Sequence, residues 1–114
     1  MTVALTGGQL AAPVPLLDLK SYDRIVIALS GGKDSVASTL ALLEAGARAE
    51  QLMFIHHEVD GREGGSMMDW GATPGYCQAF AGHFHAPLIS SWREGGFEGE
   101  MLRNNATTGA VNFE

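Results

Sequence analysis

The segment Ser30–Ser35, with the sequence SGGKDS, combines residue types that bind phosphate groups. Its two adjacent glycines let the backbone turn tightly and approach a ligand with no side chain in the way. The two serines add hydroxyl donors, and Lys33 adds a mobile positive charge. If a helix begins here, its first N–H groups lack partners within the helix and can point at phosphate oxygens. The segment therefore predicts a phosphate-binding loop.

The glycine spacing and the position of the lysine distinguish this loop from a Walker-type loop and from an ordinary helix N-cap. It is not the GxxxxGK[ST] loop of the Walker type, because the glycine spacing differs and the lysine lies inside the turn. An ordinary helix N-cap, with Ser30 or Asp34 as the capping residue, is an alternative interpretation, but it explains neither the double glycine nor the lysine. Within the binding interpretation Asp34 has two open roles. Its carboxylate either accepts backbone N–H bonds that hold the loop or helps to bind magnesium.

The pattern around the loop predicts alternating strands and helices. The apolar run Tyr22–Leu29 is typical of a central parallel strand that is covered on both faces. The stripe of apolar side chains after the loop predicts a helix over Val36–Ala45, with Gly46 just past its end. The other predicted elements are a strand at Gln51–His56, a loop at 57–72, a helix from Thr73-Pro74, a strand at Pro87–Trp92 and a helix at Glu98–Arg103, with no element over Asn104–Glu114.

This order predicts an α/β fold with a small parallel sheet covered by helices. Ligands of such sheets bind at the carboxyl ends of the strands, where we expect Ser30–Ser35, His56–Gly65 and Trp92–Gly96 to converge. Residues 1–21, interrupted by Gly7-Gly8 and two prolines, are expected to form an N-terminal arm. Residues 22–114 are expected to form the domain that contains the phosphate-binding loop.

Composition restricts the classes of function. The chain has 114 residues and a net charge of −6, which argues against a general nucleic-acid surface because such surfaces cluster Lys and Arg. No apolar run is long enough for a membrane span, and no secretory signal is expected. Cys77 is the single cysteine, so an internal disulfide and a four-cysteine cluster are excluded. These features favour a cytoplasmic location.

The loop matches the SGGxDS pattern of the PP-loop ATP pyrophosphatases, the adenine nucleotide alpha-hydrolase-like superfamily. From about Tyr22 onwards the chain also resembles the phosphoadenosine phosphosulfate (PAPS) reductase-like branch, as found in bacteriophages and bacterial genomes. The stretches that carry this second resemblance are 55–63 (IHHEVDGRE), 68–70 (MDW), 73–77 (TPGYC) and 91–97 (SWREGGF).

The resemblance implies a Rossmann-like three-layer sandwich that binds ATP or PAPS together with Mg²⁺. It implies cleavage of ATP between the α- and β-phosphates, with adenylyl transfer to an unknown acceptor and release of pyrophosphate. Lys33 and Ser30 would be catalytic, and Asp34 would bind the metal. The residues expected to contact the nucleotide are Ala28, Leu29, Ser30, Gly31, Gly32, Lys33, Asp34, Ser35, Ile55, His56 and Arg93, with Phe54 beside the adenine by position only.

Two departures from the branch restrict what carries over. PAPS reductases have a redox cysteine in a C-terminal Glu-Cys-Gly-like motif, which this sequence lacks, so PAPS reduction by this chain alone is not expected. The chain also resembles only the N-terminal half of the fold. We therefore expect a homo-oligomer, or a partner chain that completes the sheet. A non-catalytic nucleotide- or anion-binding module remains the alternative function.

Other polar and aromatic residues have open interpretations. The acidic side chains after the second strand, Glu58, Asp60 and Glu63, either contact magnesium or the acceptor or form a solvated loop. His56 and His57 could ligate a metal, although a strand-end polar residue beside a solvated one is the more common arrangement. Trp70 and Trp92 could stack on a base, but packing in a core or interface is the more ordinary role.

Overall fold

The computed structural model describes residues 17–63 and 67–114. Most of the predicted N-terminal arm, including its glycines and prolines, therefore lies outside the described residues. The part that is described contains a 3₁₀ turn at Leu19–Ser21. The side-chain amide of Gln51 donates hydrogen bonds to the carbonyl oxygens of Leu19 and Tyr22, at 2.7 and 2.6 Å. The last residues of the predicted arm are thus attached to the domain.

The described residues form four strands and three α-helices, and each of the six predicted elements is present. Helix α1 begins three residues before its predicted start, β2 continues two residues past its predicted end, and α3 begins two residues early, after Gly95 adopts a left-handed φ of 83°. The elements are β1 Ile25–Ala28, α1 Lys33–Glu44, β2 Leu52–Glu58, α2 Thr73–His83, β3 Leu88–Arg93, α3 Gly96–Met101 and β4 Val111–Phe113.

The strands form one sheet in the order β1-β2-β3-β4. β1 pairs with β2 and β2 with β3 in parallel, as predicted, whereas β4 is antiparallel to β3. The prediction of no element over Asn104–Glu114 is therefore wrong, and the predicted parallel sheet gains one antiparallel strand. Backbone hydrogen bonds hold β4: Glu114 and Ser90 exchange two bonds of 2.9 Å, and the Glu94 N–H donates to Ala110 O at 2.8 Å.

The core lies on one face of the sheet. Alternate side chains of β1 and β2, such as Ile27 and Phe54, point to this face because successive strand residues point to opposite sides. Helices α1 and α2 both pack on it. The buried cluster and its partly buried neighbours are Ile25, Ile27, Leu29, Leu42, Leu43, Leu52, Phe54, Cys77, Phe80, Ala81, Phe84, Ala86 and Leu88.

The opposite face is covered less completely. Val26 on β1 is 55% exposed, so the prediction of a central first strand covered on both faces is wrong for the described residues. On this second face, residues of α3 and β4 line a cavity together with His57, Ser91 and Arg93. The fold is therefore α/β, with a small, mostly parallel open sheet and helices. Within the described ranges, no helix has the length and apolar character needed to cross a membrane.

Candidate functional site

The segment Ser30–Ser35 lies between a parallel strand and a helix, as the sequence predicts. The Leu29 N–H donates to Ile55 O at 2.8 Å, so the chain stays paired with β2 until just before the loop. Helix α1 begins at Lys33, directly after the two glycines. The loop therefore lies at the carboxyl edge of the sheet, where ligands of parallel α/β folds bind.

The two serine hydroxyls shape the loop from within. Ser30 Oγ accepts a hydrogen bond from the Gly32 N–H at 3.2 Å and lies 3.3 Å from Ser35 Oγ. Ser35 Oγ also lies 3.0 Å from Gly32 O, to which it can donate. Both hydroxyls lie in an exposed region and keep further hydrogen-bonding capacity. They can therefore hold the turn and still face a ligand.

Gly31 is fixed by its conformation and by its surroundings. Its φ of +91° is in the left-handed region that favours glycine. A Cβ at this position would lie 3.0 Å from Thr73 Cγ2 and 3.3 Å from Cys77 Sγ, both on α2. In the described part of the chain, a Cβ at Gly32 would meet only Ser30 Oγ, at 3.5 Å. The loop therefore packs against α2 through Gly31 and leaves the side of Gly32 accessible.

The charged residues of the loop face solvent. The Lys33 and Asp34 side chains are 92% and 91% exposed, and Lys33 Nζ lies 2.9 Å from Asp34 Oδ1. Because an ion pair this exposed contributes little free energy, an anion with more charge can draw Lys33 away. The first-turn N–H groups of α1 also have no partner within the helix and carry its positive dipole end. The arrangement suits a polyanion such as a phosphate chain.

His56 connects β2 to the start of the loop. Its side chain is buried at 2% exposure, and its Nδ1 lies 2.8 Å from Leu29 O. Its Nε2 is buried and has no hydrogen-bond partner among residues 17–63 and 67–114. Cys77 Sγ lies 3.6 Å from the same Nδ1, and burial raises the pKa of this thiol, with a smaller contribution from the charge of Asp69. His56 therefore supports the loop from beneath.

The residues predicted to flank the base divide between the two faces of the sheet. Ala28 and Ile55 are paired in register, and both lie on the face opposite the core. Leu29 and Phe54 are core residues at 1% and 0% exposure. The prediction that Phe54 lines an adenine pocket is wrong, because its ring packs against Phe80 and Phe84. Leu29 can offer a ligand only backbone atoms, which already make hydrogen bonds.

Arg93 is directed away from the loop. It ends β3, two strands from β1, which is roughly 10 Å across the sheet. Its Nη1 donates to Thr108 Oγ1 at 3.0 Å and to Gly109 O at 2.8 Å. Its described contacts therefore stabilise the segment that leads into β4, and they do not bring it to Lys33.

The acidic side chains after β2 have partners in the fold. The Asp60 carboxylate accepts hydrogen bonds from the N–H groups of Met68 and Asp69, both at 2.9 Å. Glu58 forms an ion pair of 2.6 Å with Arg62. A hydrogen bond from the Gly95 backbone is the main cause that lowers the pKa of Glu63. Within the described ranges, no group of three or more His, Cys, Asp or Glu side chains could hold a metal ion.

A small cavity of ≈ 160 Å³ lies near the loop. His56, Asp69 and Pro74 are among its lining residues, and Trp70, which is 84% exposed, stands at its side. Asp69 Oδ1 accepts a hydrogen bond from Thr73 Oγ1 at 3.0 Å, so it also secures the start of α2 beside Gly31. Sequence reasoning missed Asp69, Thr73 and Cys77 as supports of the loop. The available signals were the Thr73-Pro74 helix start and the stretches 68–70 and 73–77, which carry the family resemblance.

Sequence reasoning also missed the pairing of His57 with Ser91. These residues are opposite each other in the β2–β3 register, and His57 Nδ1 makes a hydrogen bond to Ser91 Oγ. Trp92, for which packing was the more ordinary expectation and base stacking the alternative, has the Arg62 guanidinium 3.7 Å from its ring centroid.

Comparison with protein-family models gives no match for this chain. Comparisons with curated proteins and with solved structures give none either.

Proposed function

We propose that this chain binds ATP or a related adenine nucleotide through Ser30–Ser35 and cleaves it between the α- and β-phosphates. The observation that carries the proposal is the position of the complete SGGKDS loop at the carboxyl edge of a parallel strand, directly before α1. Two hydroxyls, the first-turn N–H groups and the 92% exposed Lys33 side chain all belong to this loop. The Rossmann-like assignment of the fold, the PAPS reductase-like family and the cytoplasmic location are parts of the same proposal.

The reaction follows from where negative charge develops. An acceptor oxygen forms a bond to the α-phosphorus as the bond from that phosphorus to the bridging oxygen breaks, and the acceptor loses its proton to solvent. Pyrophosphate leaves with the bonding electrons. Lys33, Ser30 and the backbone N–H groups would stabilise the charge on the leaving group. The expected products are an adenylylated acceptor and pyrophosphate, or AMP and pyrophosphate when water is the acceptor.

Magnesium fits this site only in part. Mg²⁺ is commonly held by one or two carboxylates together with substrate phosphates, and it would supply charge neutralisation there. Asp34 is the carboxylate within the loop, but in this structure it is paired with Lys33. We therefore assign to Asp34 at most one ligand position beside nucleotide oxygens.

The second candidate is a non-catalytic module that binds nucleotides or anions, and it also has support. Arg93 contacts Thr108 and Gly109, so it is not brought to the phosphate loop. The Nδ1 of the buried His56 points at Leu29 O, so this nitrogen does not face an acceptor above the loop and cannot deprotonate it. A loop that binds phosphate without a nearby base need not turn over its ligand.

Product analysis with ATP and Mg²⁺ tests the catalytic proposal. Wild-type protein should form AMP and pyrophosphate in equal amounts, and Lys33→Ala should lower kcat/KM by about 10²–10³, the effect of removing one transition-state donor. Lys20→Ala is the matched control, because Lys20 is the other lysine of the chain and is exposed. Its rate should equal that of the wild type. Formation of ADP and phosphate would contradict the catalytic proposal.

Thermal unfolding separates binding from turnover. A ligand that binds only the folded state raises Tm in proportion to the logarithm of its concentration. A rise with ATP or pyrophosphate that is lost in Lys33→Ala, without any product, would favour the second candidate. If ATP, AMP, PAPS, pyrophosphate and sulfate all leave Tm unchanged, both candidates fail.

A further inference from the structure

The outer edge of β4 has backbone groups directed away from the sheet. Glu114 and Ser90 exchange both of their hydrogen bonds, and Glu94 N–H donates to Ala110 O. In an antiparallel ladder, hydrogen-bonded and non-hydrogen-bonded pairs alternate. Val111 and Phe113 therefore occupy non-hydrogen-bonded positions opposite β3, and their own N–H and C=O groups point outward.

Among the described residues, the three-residue length of β4 is the main protection of this edge, because its sequence supplies little else. Natural proteins place charged residues, proline or bulges on such edges, because unpaired backbone groups recruit other strands. Residues 110–113 have the sequence AVNF, with no charge and no proline. Val111 and Phe113 are 45% and 68% exposed, so apolar side chains accompany the outward backbone groups. The edge therefore combines both properties of a strand-pairing surface.

We propose that β4 pairs antiparallel with β4 of a second copy of this chain, about a two-fold axis at Asn112. In this register Val111 lies opposite Phe113 of the partner subunit, and each of the two symmetric pairs exchanges two backbone hydrogen bonds. Ala110 lies opposite Glu114 of the partner subunit, so no like charges face each other. The strand is thus complementary to itself, which is the condition for a closed two-fold interface.

A second contact restricts the register. Gly109 O accepts a hydrogen bond from Arg93 Nη1 at 2.8 Å, so it is already engaged within its own chain. A register centred on Val111 would require Gly109 to pair with Phe113 of the partner subunit. A register centred on Asn112 uses only the N–H and C=O groups of Val111 and Phe113, which point outward and do not bond to β3.

The cavity beside β4 supplies apolar surface for the partner. It has a volume of ≈ 380 Å³, and its lining includes Phe97, Val111 and Phe113. Directly opposed residues in an antiparallel pair share a face. Phe113 of the partner subunit therefore lies beside Val111 at the rim of this cavity and adds a wall to it. The proposal concerns assembly and does not depend on nucleotide binding.

Disulfide trapping tests the register. In the proposed ladder the two copies of residue 112 form a non-hydrogen-bonded pair with Cα atoms about 4.5 Å apart, within the range that a disulfide spans. Asn112→Cys should form a covalent dimer under mild oxidation, as seen by non-reducing electrophoresis. Ser38→Cys, exposed on α1, is the matched control and should remain monomeric. Equal slow cross-linking of the two variants would overturn the proposed register.

Sedimentation equilibrium tests the edge itself at physiological ionic strength. Wild-type protein should dimerise reversibly, and Phe113→Lys should raise the dimer Kd by at least about tenfold because it places like charges at the interface. Val26→Lys introduces the same charge at another exposed strand residue, on β1, and should leave the dimer Kd unchanged. Circular dichroism checks that both variants fold. A wild-type monomer at millimolar concentration, or a dimer disrupted by Val26→Lys and not by Phe113→Lys, would overturn the proposal.

Discussion

Nδ1 of His56 lies 2.8 Å from the carbonyl oxygen of Leu29, the residue immediately before the phosphate-binding loop. A carbonyl oxygen only accepts hydrogen bonds, so Nδ1 is the donor in this contact. The imidazole is buried, so its bond is not in competition with water. The end of β1 is therefore held by a side chain of β2, in addition to the backbone ladder.

Replacing His56 should destabilise the protein much more than replacing its neighbour. His56→Ala removes a buried hydrogen bond and leaves a cavity, so the free energy of unfolding should fall by about 2–4 kcal/mol. His57→Ala removes only the hydrogen bond of an exposed side chain to Ser91, so it should cost about 1 kcal/mol. His56→Asn should recover part of the loss, because its amide nitrogen is as many bonds from Cβ as Nδ1. Urea denaturation measures all three, and equal effects of the two alanine variants would contradict the assigned role.

Gly31 should not tolerate a side chain, whereas a helical glycine should. Gly31→Ala combines a left-handed φ with a Cβ 3.0 Å from Thr73 Cγ2, so we expect a loss of about 1–3 kcal/mol in the free energy of unfolding. Gly75→Ala is the control. It lies inside α2 with open space around its Cβ position, and it should stabilise the protein by about 0.5–1 kcal/mol. Chemical denaturation of both variants checks the sign, and stabilisation by Gly31→Ala would contradict the loop geometry.

The strongest local patterns located most of the fold. Apolar runs identified β1 and β2, and the double glycine before a helical stripe identified the loop and α1. β4 could not be found in this way, because three residues are too few to show an alternating pattern. Its stability comes from backbone bonds to Ser90 and Glu94, which are distant in sequence.

The part of the candidate site that lies within one short stretch of sequence was predictable. The contacts between segments that are distant in sequence were not. Ser30–Ser35 required only local spacing. The orientation of Phe54 depends on the strand register, and a shift by one residue would move its side chain to the other face. The contacts of Arg93 depend on Thr108 and Gly109, which belong to a segment with no sequence signal.

Cys77 should react slowly in the folded protein and report on the loop. Its thiol is fully buried and its pKa is raised by burial, so the thiolate fraction is low and the sulfur is inaccessible. Labelling by iodoacetamide at pH 8 should be at least about 100-fold slower in buffer than in guanidinium chloride, as expected when reaction requires opening of the structure. Because Cys77 is the single cysteine, the measurement needs no variant. Equal rates would contradict its burial.

Nucleotide should slow this labelling further. The position of a Cβ on Gly31 would be 3.3 Å from Cys77 Sγ, so the loop covers the thiol. A phosphate ligand that stabilises the loop should lower the population of open states. In Lys33→Ala the same concentration of ATP should have no effect on the labelling rate. An unchanged labelling rate in the wild type, at an ATP concentration that raises Tm, would contradict this prediction. It would show that Cys77 becomes accessible without opening of the loop.

The contact between Glu100 and Thr108 should make the attachment of β4 sensitive to acid. The Thr108 hydroxyl, with a further contribution from the positive charge of Arg103, lowers the pKa of Glu100 below its usual value. The folded state therefore binds this proton more weakly than the unfolded state, so the stabilisation is present above pH 4.5 and is lost as pH falls through the folded pKa. Carboxyl-carbon NMR should show the pKa of Glu100 rising towards 4.5 in Thr108→Val. Thr107→Val, at the adjacent exposed threonine, should leave it unchanged, and an equal shift in both variants would contradict the assigned contact.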